Sequence, residues 1–396
     1  MKKIVICFFA LLSFALHAQS QLSENAQISL LTCSPSDVAA YTLYGHTALR
    51  VRDAVQVDSL NEKVTDLVFN YGIFDFSKPN FIYRFAKGET DYMLGVCNFD
   101  DFLSEYQMRG SEVYEQLLNL THEEKNILWE ALVTNAQPEN RVYRYNFFFD
   151  NCATRPAVLV AQSVHGTIVY SDHSQPETFR EMINYCTRDY PWITFGCDLV
   201  IGSPADRVTT VPESFFIPAY LKKAYDGAWI IHTDGTKRKL VSSGQILAEE
   251  AQFADETKAD LFTPIVCTGL FFFVILLLTL VEWRKKIYFR WLDSLLFSLA
   301  GMAGCVLFFL SFISVHPGMW PNISIVWLHP LHVFGVLLFA VKKLNKVAYC
   351  YHFINFVALL LVLPVWHFIP QYLNMAFIPL IGSLWLRSGY YIIRKK

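Results

Sequence analysis

The sequence predicts two architectures in tandem: an exported α+β domain, then an all-α membrane domain of five transmembrane helices. Three observations predict this. The chain opens "MKKIVICFFALLSFALHAQS", with two lysines, an apolar run and Leu16-His17-Ala18, the form of a secretory signal peptide cleaved after Ala18. An uncleaved first membrane helix is the rival reading, but the run is short for a span and a polar segment follows it. Composition then changes near residue 260. Residues 19–260 mix charged, aromatic and apolar side chains, whereas 261–396 are mostly apolar. Finally, basic residues occupy alternate breaks of the apolar part. The predicted division is 1–18 signal peptide, 19–260 exported domain and 261–396 membrane domain.

In the exported domain, "AQISLLTC" (26–33), "HTALRV" (46–51) and "VTDLVFNYG" (64–72) read as strands. "PNFIYRFAKG" predicts a short helix, "TDYMLGVC" (90–97) a strand and "FDDFLSEYQM" a helix. "SEVYEQLLNL" (111–120) is strand-like again. "THEE" is a capping box, with Thr121 as cap and Glu124 three residues on, and starts a helix running to about Asn135. "NRVYRYNFFFDN" is extended, and a helix begins near Cys152. A Pro-started helix at 176–187, another over "PESFFIPAYLKKAY" and a hairpin around "HTDGTKR" complete the domain.

The five predicted spans are 261–282, 291–314, 322–341, 347–369 and 374–392, separated by "EWRKK", "VHPGMWPN", "KKLNK" and "PQYLN". Arg284, Lys285 and Lys286 lie in one break, and Lys342, Lys343 and Lys346 in another. The chain ends Arg394-Lys395-Lys396. The alternate breaks carry no Lys or Arg, so the positive-inside rule puts the basic breaks and the C-terminus in the cytoplasm and the globular domain outside it. In a bacterium that is a multi-pass inner-membrane protein with its soluble domain in the periplasm.

The net charge is −2, with no basic stretch outside these breaks, which argues against nucleic acid as a partner. The exported domain keeps Cys33, Cys97, Cys152, Cys186 and Cys197. The number is odd, so at least one thiol is free or pairs elsewhere. Cys186 and Cys197 are close enough in sequence to pair, but spacing does not fix connectivity among Cys33, Cys97, Cys186 and Cys197. No CxxC or His/Cys cluster suggests zinc, and no cofactor is implied.

Cys152 carries the chemistry. "DNCATRPAVLVAQ" places it at a helix start, where unpaired backbone N–H groups and the helix dipole favour a thiolate. The competing reading is a small buried residue or disulfide partner. A thiol nucleophile needs a base. In "YTLYGHTALRV" His46 opens a strand directly after Gly45, which permits close backbone approach; a histidine merely closing a strand end is the alternative. Of "VFNYGIFDF", which offers Asn70, Tyr71 and Asp75 on a neighbouring strand, Asn70 is the chosen group to orient the imidazole. The Cys152 N–H with Tyr44 or Asn151 is the expected oxyanion hole. His316 and Trp320, in the outward break "SVHPGMWPNI", are candidate substrate contacts at headgroup level, against ordinary helix-turn packing.

A strand opening with His, followed about a hundred residues later by an "NC" that opens a helix, resembles the circularly permuted papain-like fold of lecithin:retinol acyltransferase and NlpC-type peptidases. His46 precedes Cys152, the permuted order. More closely, "LLTCSPSD", "YGHTALRV", "VFNYGIFDF" and "PENRVYRYNFFFDNCATRP" together resemble the Bacteroidota family called the Lnb N-terminal periplasmic domain, whose members also carry five C-terminal spans. One departure is Ser36 in "CSPSD", where the family pattern suggests Gly. The resemblance implies a lipoprotein N-acyltransferase. Its acyl donor would be a membrane phospholipid and its acceptor the α-amino group of a diacylated lipoprotein cysteine, with Cys152 and His46 as catalytic pair. Two other readings stand beside it: a papain-like cell-wall peptidase or amidase using the same pair, and a non-enzymatic membrane assembly protein in which Cys152 is structural.

Overall fold

The computed structural model describes residues 21–56, 62–75, 77, 79–171, 177–251, 261–365 and 368–394. The signal peptide read at 1–18 and the terminal Lys395 and Lys396 lie outside the described residues. In chain order the soluble part comprises β1 (Gln27–Cys33), β2 (His46–Gln56), β3 (Glu62–Ile73), α1 (Phe81–Lys87), β4 (Asp91–Asn98), α2 (Phe99–Met108), β5 (Val113–Leu118), α3 (His122–Ala136), β6 (Val142–Arg144), α4 (Thr154–Ser163), β7 (Thr167–Val169), α5 (Phe179–Thr187), α6 (Pro191–Val200), α7 (Val211–Ser214), α8 (Pro218–Asp226), β8 (Trp229–Ile231), β9 (Lys237–Lys239) and β10 (Val241–Ala248).

Seven strands form one antiparallel sheet in the order β10-β5-β1-β2-β3-β4-β6, and β7, β8 and β9 form a second, small one. β1 is central and buried on both faces, so its apolar residues run on without alternation. One face, with Leu30, Leu49, Val51 and Phe69, packs against Leu128 and Leu132 of α3 and Ala157 and Val160 of α4. The other, with Leu31, Ala48 and Val68, packs against Phe102 and Tyr106 of α2. Because side chains alternate along a strand, neighbouring residues of β2 and β3 face these two different layers.

Several expected boundaries move for local reasons. The helix expected at 176–187 starts at Phe179, because Thr178 and Glu181 form a capping box. The helix expected over "PESFFIPAYLKKAY" is two: Pro218 forces Ile217 into extended backbone (φ −101°, ψ 118°), which separates α7 from α8. The hairpin around "HTDGTKR" exists as β8 and β9, and the chain then returns to the main sheet as the unforeseen edge strand β10. α6 was also unforeseen. Among the described residues every cysteine is a free thiol, Cys186 and Cys197 included.

The membrane part contains α9 (Pro264–Lys285), α10 (Arg290–Phe312), α11 (Gly335–Ala340), α12 (Asn345–Val365) and α13 (Phe377–Ile393). Among the described residues, four segments are long and apolar enough to cross a membrane: Pro264–Lys285, Arg290–Phe312, Ile323–Ala340 and Lys342–Val362. The third is broken into two 3₁₀ turns and α11, with Pro330 opening the second turn. The fifth expected span forms α13, which at 17 residues is shorter than the others. The soluble domain rests on this bundle through α6. Asn322 donates to the carbonyls of Leu199 and Val200 at 3.0 and 3.1 Å, Asn374 donates to Asp198 at 2.9 Å, and Phe195 packs on Phe377.

Candidate active site

His46 is the first residue of β2. A 3₁₀ turn over Ala40–Tyr44 delivers the chain to it through Gly45, whose φ is +77°. A Cβ on Gly45 would come within 2.7 Å of the Cys33 carbonyl oxygen, so only glycine lets the chain enter β2 beside β1. His46 pairs across the ladder with Cys33 and stacks on Tyr106 of α2 with ring centroids 5.9 Å apart. Asn70 of β3 faces the same layer. Its Oδ1 lies 2.6 Å from His46 Nε2. With Oδ1 as acceptor, the proton is assigned to Nε2, and Nδ1 is left as the basic nitrogen.

Cys152 approaches from the opposite layer. The regular helix α4 begins at Thr154, but the N–H of Arg155 already bonds the Asn151 carbonyl at 3.2 Å, which puts Cys152 in the first turn. Asn151 fixes this turn with every polar atom it has. Its Oδ1 accepts from the N–H of Ala153 (2.8 Å) and Thr154 (2.9 Å), its Nδ2 donates to Phe147 (3.0 Å) and Phe216 (2.8 Å), and its own N–H donates to Thr154 Oγ1 (2.7 Å). The backbone N–H groups of Thr47 and of Cys152 itself lie near enough to the thiol to favour its ionised form.

The two halves meet across Gly72, at the irregular end of β3 where pairing with β4 shifts register. Gly72 has φ +100°, and a Cβ there would lie 3.3 Å from Cys152 Cβ and 3.9 Å from His46 Cε1. Cys152 and His46 therefore both border the space that a side chain at 72 would fill. No hydrogen bond joins them among the described residues; sites without substrate are often looser than the reacting complex. Burial lowers the His46 pKa to about 4, with the nearby Arg109 cation adding to the effect against the Asn70 bond. Burial likewise raises the Cys152 thiol to about 11, opposed by the two N–H groups. At rest the pair is a neutral thiol and a neutral imidazole.

The other expected site residues lie elsewhere or are committed. The Tyr44 hydroxyl meets Cys197 Sγ at 3.9 Å, and its ring packs on Phe147. The Asn151 side chain has both N–H groups engaged by carbonyls, so it anchors the turn and has no donor left for an oxyanion. His316 Nε2–H donates to the Phe85 carbonyl at 2.6 Å, which ties the loop after α10 to α1. Trp320 is half exposed and packs on Phe312. Two features were missed from sequence: the Thr47 N–H and Gly72. The second had a signal, since a glycine inside a strand pattern marks a bulge or a close backbone approach.

Comparison with known families gives two matches. The Lnb N-terminal periplasmic domain matches residues 16–185, and the Lnb transmembrane domain matches residues 256–396. No curated protein and no solved structure matches the chain.

Proposed function

The chain belongs to the Lnb family, and from that premise we propose that it is a membrane-bound lipoprotein N-acyltransferase working through a Cys152 thioester. Membership suggests a lipoprotein N-acyltransferase type of role, with lipid and lipoprotein substrates in general. The finer reading rests on one observation: Cys152, in the first turn of α4, and His46, oriented by Asn70, flank Gly72 in a domain seated on membrane helices. On this reading the soluble domain is a permuted papain-like fold in the periplasm, and five helices cross the inner membrane.

His46 Nδ1 takes the Cys152 proton as the sulfur bonds to the ester carbonyl carbon of a phospholipid. Because both groups are neutral at rest, proton transfer accompanies attack, which is general-base catalysis of thiol addition. The N–H groups of Cys152 and Thr47, beside the sulfur, meet the developing oxyanion; Thr47 takes the place earlier given to Tyr44 or Asn151. The ester C–O bond breaks, and the lysophospholipid oxygen leaves with the proton from the imidazolium. The α-amino group of a diacylated lipoprotein cysteine then attacks the thioester. An amide forms, the C–S bond breaks, and the amine's proton returns through His46 to sulfur. Asn70 keeps the imidazole in one tautomer through both halves.

The test is to incubate the full chain with acyl-labelled phospholipid and no acceptor. Label on Cys152, released by neutral hydroxylamine, is expected in wild type and absent in Cys152→Ala. Adding a diacylated lipopeptide should move that label to its N-terminus. Equal transfer by Cys152→Ala would overturn the mechanism.

A further inference from the structure

α1 is anomalous for a helix of a soluble domain. None of its residues is buried, and Ile82, Tyr83 and Phe85 are 82%, 54% and 49% exposed. Its charged residues are turned back to the domain: Arg84 pairs with Asp91 and Lys87 with Glu89. α1 is also fastened to the outward end of a membrane helix. Tyr83 packs on Phe309 of α10 at 5.8 Å between ring centroids, and the Val315 N–H donates to the Lys87 carbonyl at 2.9 Å. Gly88, with φ +78°, lets that loop close in; a Cβ there would lie 3.0 Å from Val315. The exposed apolar face of α1 thus continues the lipid-facing surface of α10, where Phe308 and Phe312 are exposed. Aromatic residues at this depth favour the bilayer interface.

Behind α1 a file of aromatic rings leads inward. Phe85 stacks on Phe81 and Phe81 on Phe74, each at 6.0 Å; Phe74 meets Tyr92 at 4.9 Å, and Tyr92 stacks on Tyr145 at 4.0 Å. Burial raises the pKa of the Tyr92 and Tyr145 phenols, and the neighbouring Cys152 adds to the effect on both. We propose that α1 is the lipid entrance of the site: an acyl chain of a bilayer phospholipid leaves the membrane over Ile82 and Phe85 and lies along the rings, with its ester at Cys152. The proposal rests on the acyltransferase reading for its purpose, but its geometry is separately testable.

The experiment places the full-length Cys152→Ala protein in phosphatidylethanolamine liposomes doped with a phosphatidylethanolamine carrying a diazirine near the end of one acyl chain. After irradiation, crosslinks are mapped by peptide mass spectrometry. Label on the Phe81–Lys87 segment and on Phe74 is expected well above that on Ile246, an equally apolar exposed residue on β10 at the far edge of the sheet. Label confined to α9–α13 would overturn the proposal, as would label replaced by crosslinks between copies of the chain. A second arm reads Cys152 acylation in Ile82→Asp. Acylation from long-chain phospholipid should fall about tenfold or more, the worth of one isoleucine's apolar contact, while acylation from a water-soluble short-chain thioester stays unchanged. Equal loss from both donors would count against the entrance. Labelling of α1 together with no acylation of wild-type Cys152 by either donor would leave the entrance standing and remove the acyltransferase reading.

Discussion

At the scale of single residues the site depends on an atom that is missing. Gly72 combines a left-handed φ with close approach to both Cys152 and His46. Gly72→Ala should cost about 1–3 kcal/mol from backbone strain and also press a methyl against both Cys152 and His46. The fall in acyl-transfer rate should therefore exceed what the loss of folded protein explains, as a thermal melt paired with the labelling assay would read out. A variant with reduced melting temperature but full specific activity would show that the gap is not needed. The neutral resting pair makes a second prediction. The acid limb of kcat/KM reports the base in the free enzyme. An ordinary histidine would halve the rate near pH 6.5, but burial and Arg109 hold His46 down to about 4. Activity should persist as pH falls through 6.5 and drop only toward 4. Arg109→Met removes one of the lowering causes, so the limb should move upward; an unmoved limb would assign it to another group.

At the scale of elements, the first turn of α4 and the start of β2 carry Cys152 and His46, and their placement follows from local rules. Asn151 closes the first turn of α4 and ties it to the Phe147 and Phe216 carbonyls. Asn151→Ala removes a helix cap, worth about 1 kcal/mol, and leaves buried carbonyls unpaired at about 1–3 kcal/mol. A melting temperature lowered by several degrees is expected, with the Cys152 acylation rate falling in parallel; no change in either would deny the turn its role. The helix start was legible in "DNCATRP", as were the capping box of α3 and the strand that opens at His46. What escaped notice was non-local. α6 is apolar over most of its length because one face meets the membrane part, where Phe195, Leu199 and Val200 join that core. β10 looks like an exposed tail until it pairs with β5. Tyr44 and Asn151 stood close to His46 and Cys152 in sequence, but their side chains are satisfied elsewhere, by Cys197 and by two carbonyls, and no spacing rule exposes that.

At the scale of the whole molecule, the alternation of basic and neutral breaks has a geometric counterpart. The loops carrying Val315, Asn322 and Asn374 all bond to the soluble domain, while Arg284, Lys285 and Lys286 sit at the far end of α9. The open question is α13, whose 17 residues reach about 26 Å at ~1.5 Å each, just short of a hydrocarbon core of about 30 Å. Its ends nevertheless lie at opposite sides of the bundle. Asn374, just before it, bonds Asp198 of the soluble domain, and Tyr390 near its end donates to the Ile287 carbonyl in the α9–α10 loop at 2.9 Å. A buried charge in such a helix is costly unless paired. Arg387 is paired twice, with Glu282 of α9 and with Asp293 of α10 at 2.6 Å, which seats α13 inside the bundle rather than on its rim. Five crossings put the C-terminus on the side of Lys286; four would put it on the side of the soluble domain. Reporter fusions after Lys286 and after Lys396 should therefore both behave as cytoplasmic, and a fusion after Pro317 as periplasmic. A periplasmic readout after Lys396, with the other two unchanged, would mean that α13 does not cross. Removing the pairing by Arg387→Leu should lower membrane-inserted yield, because two carboxylates would be left unpaired among the helices.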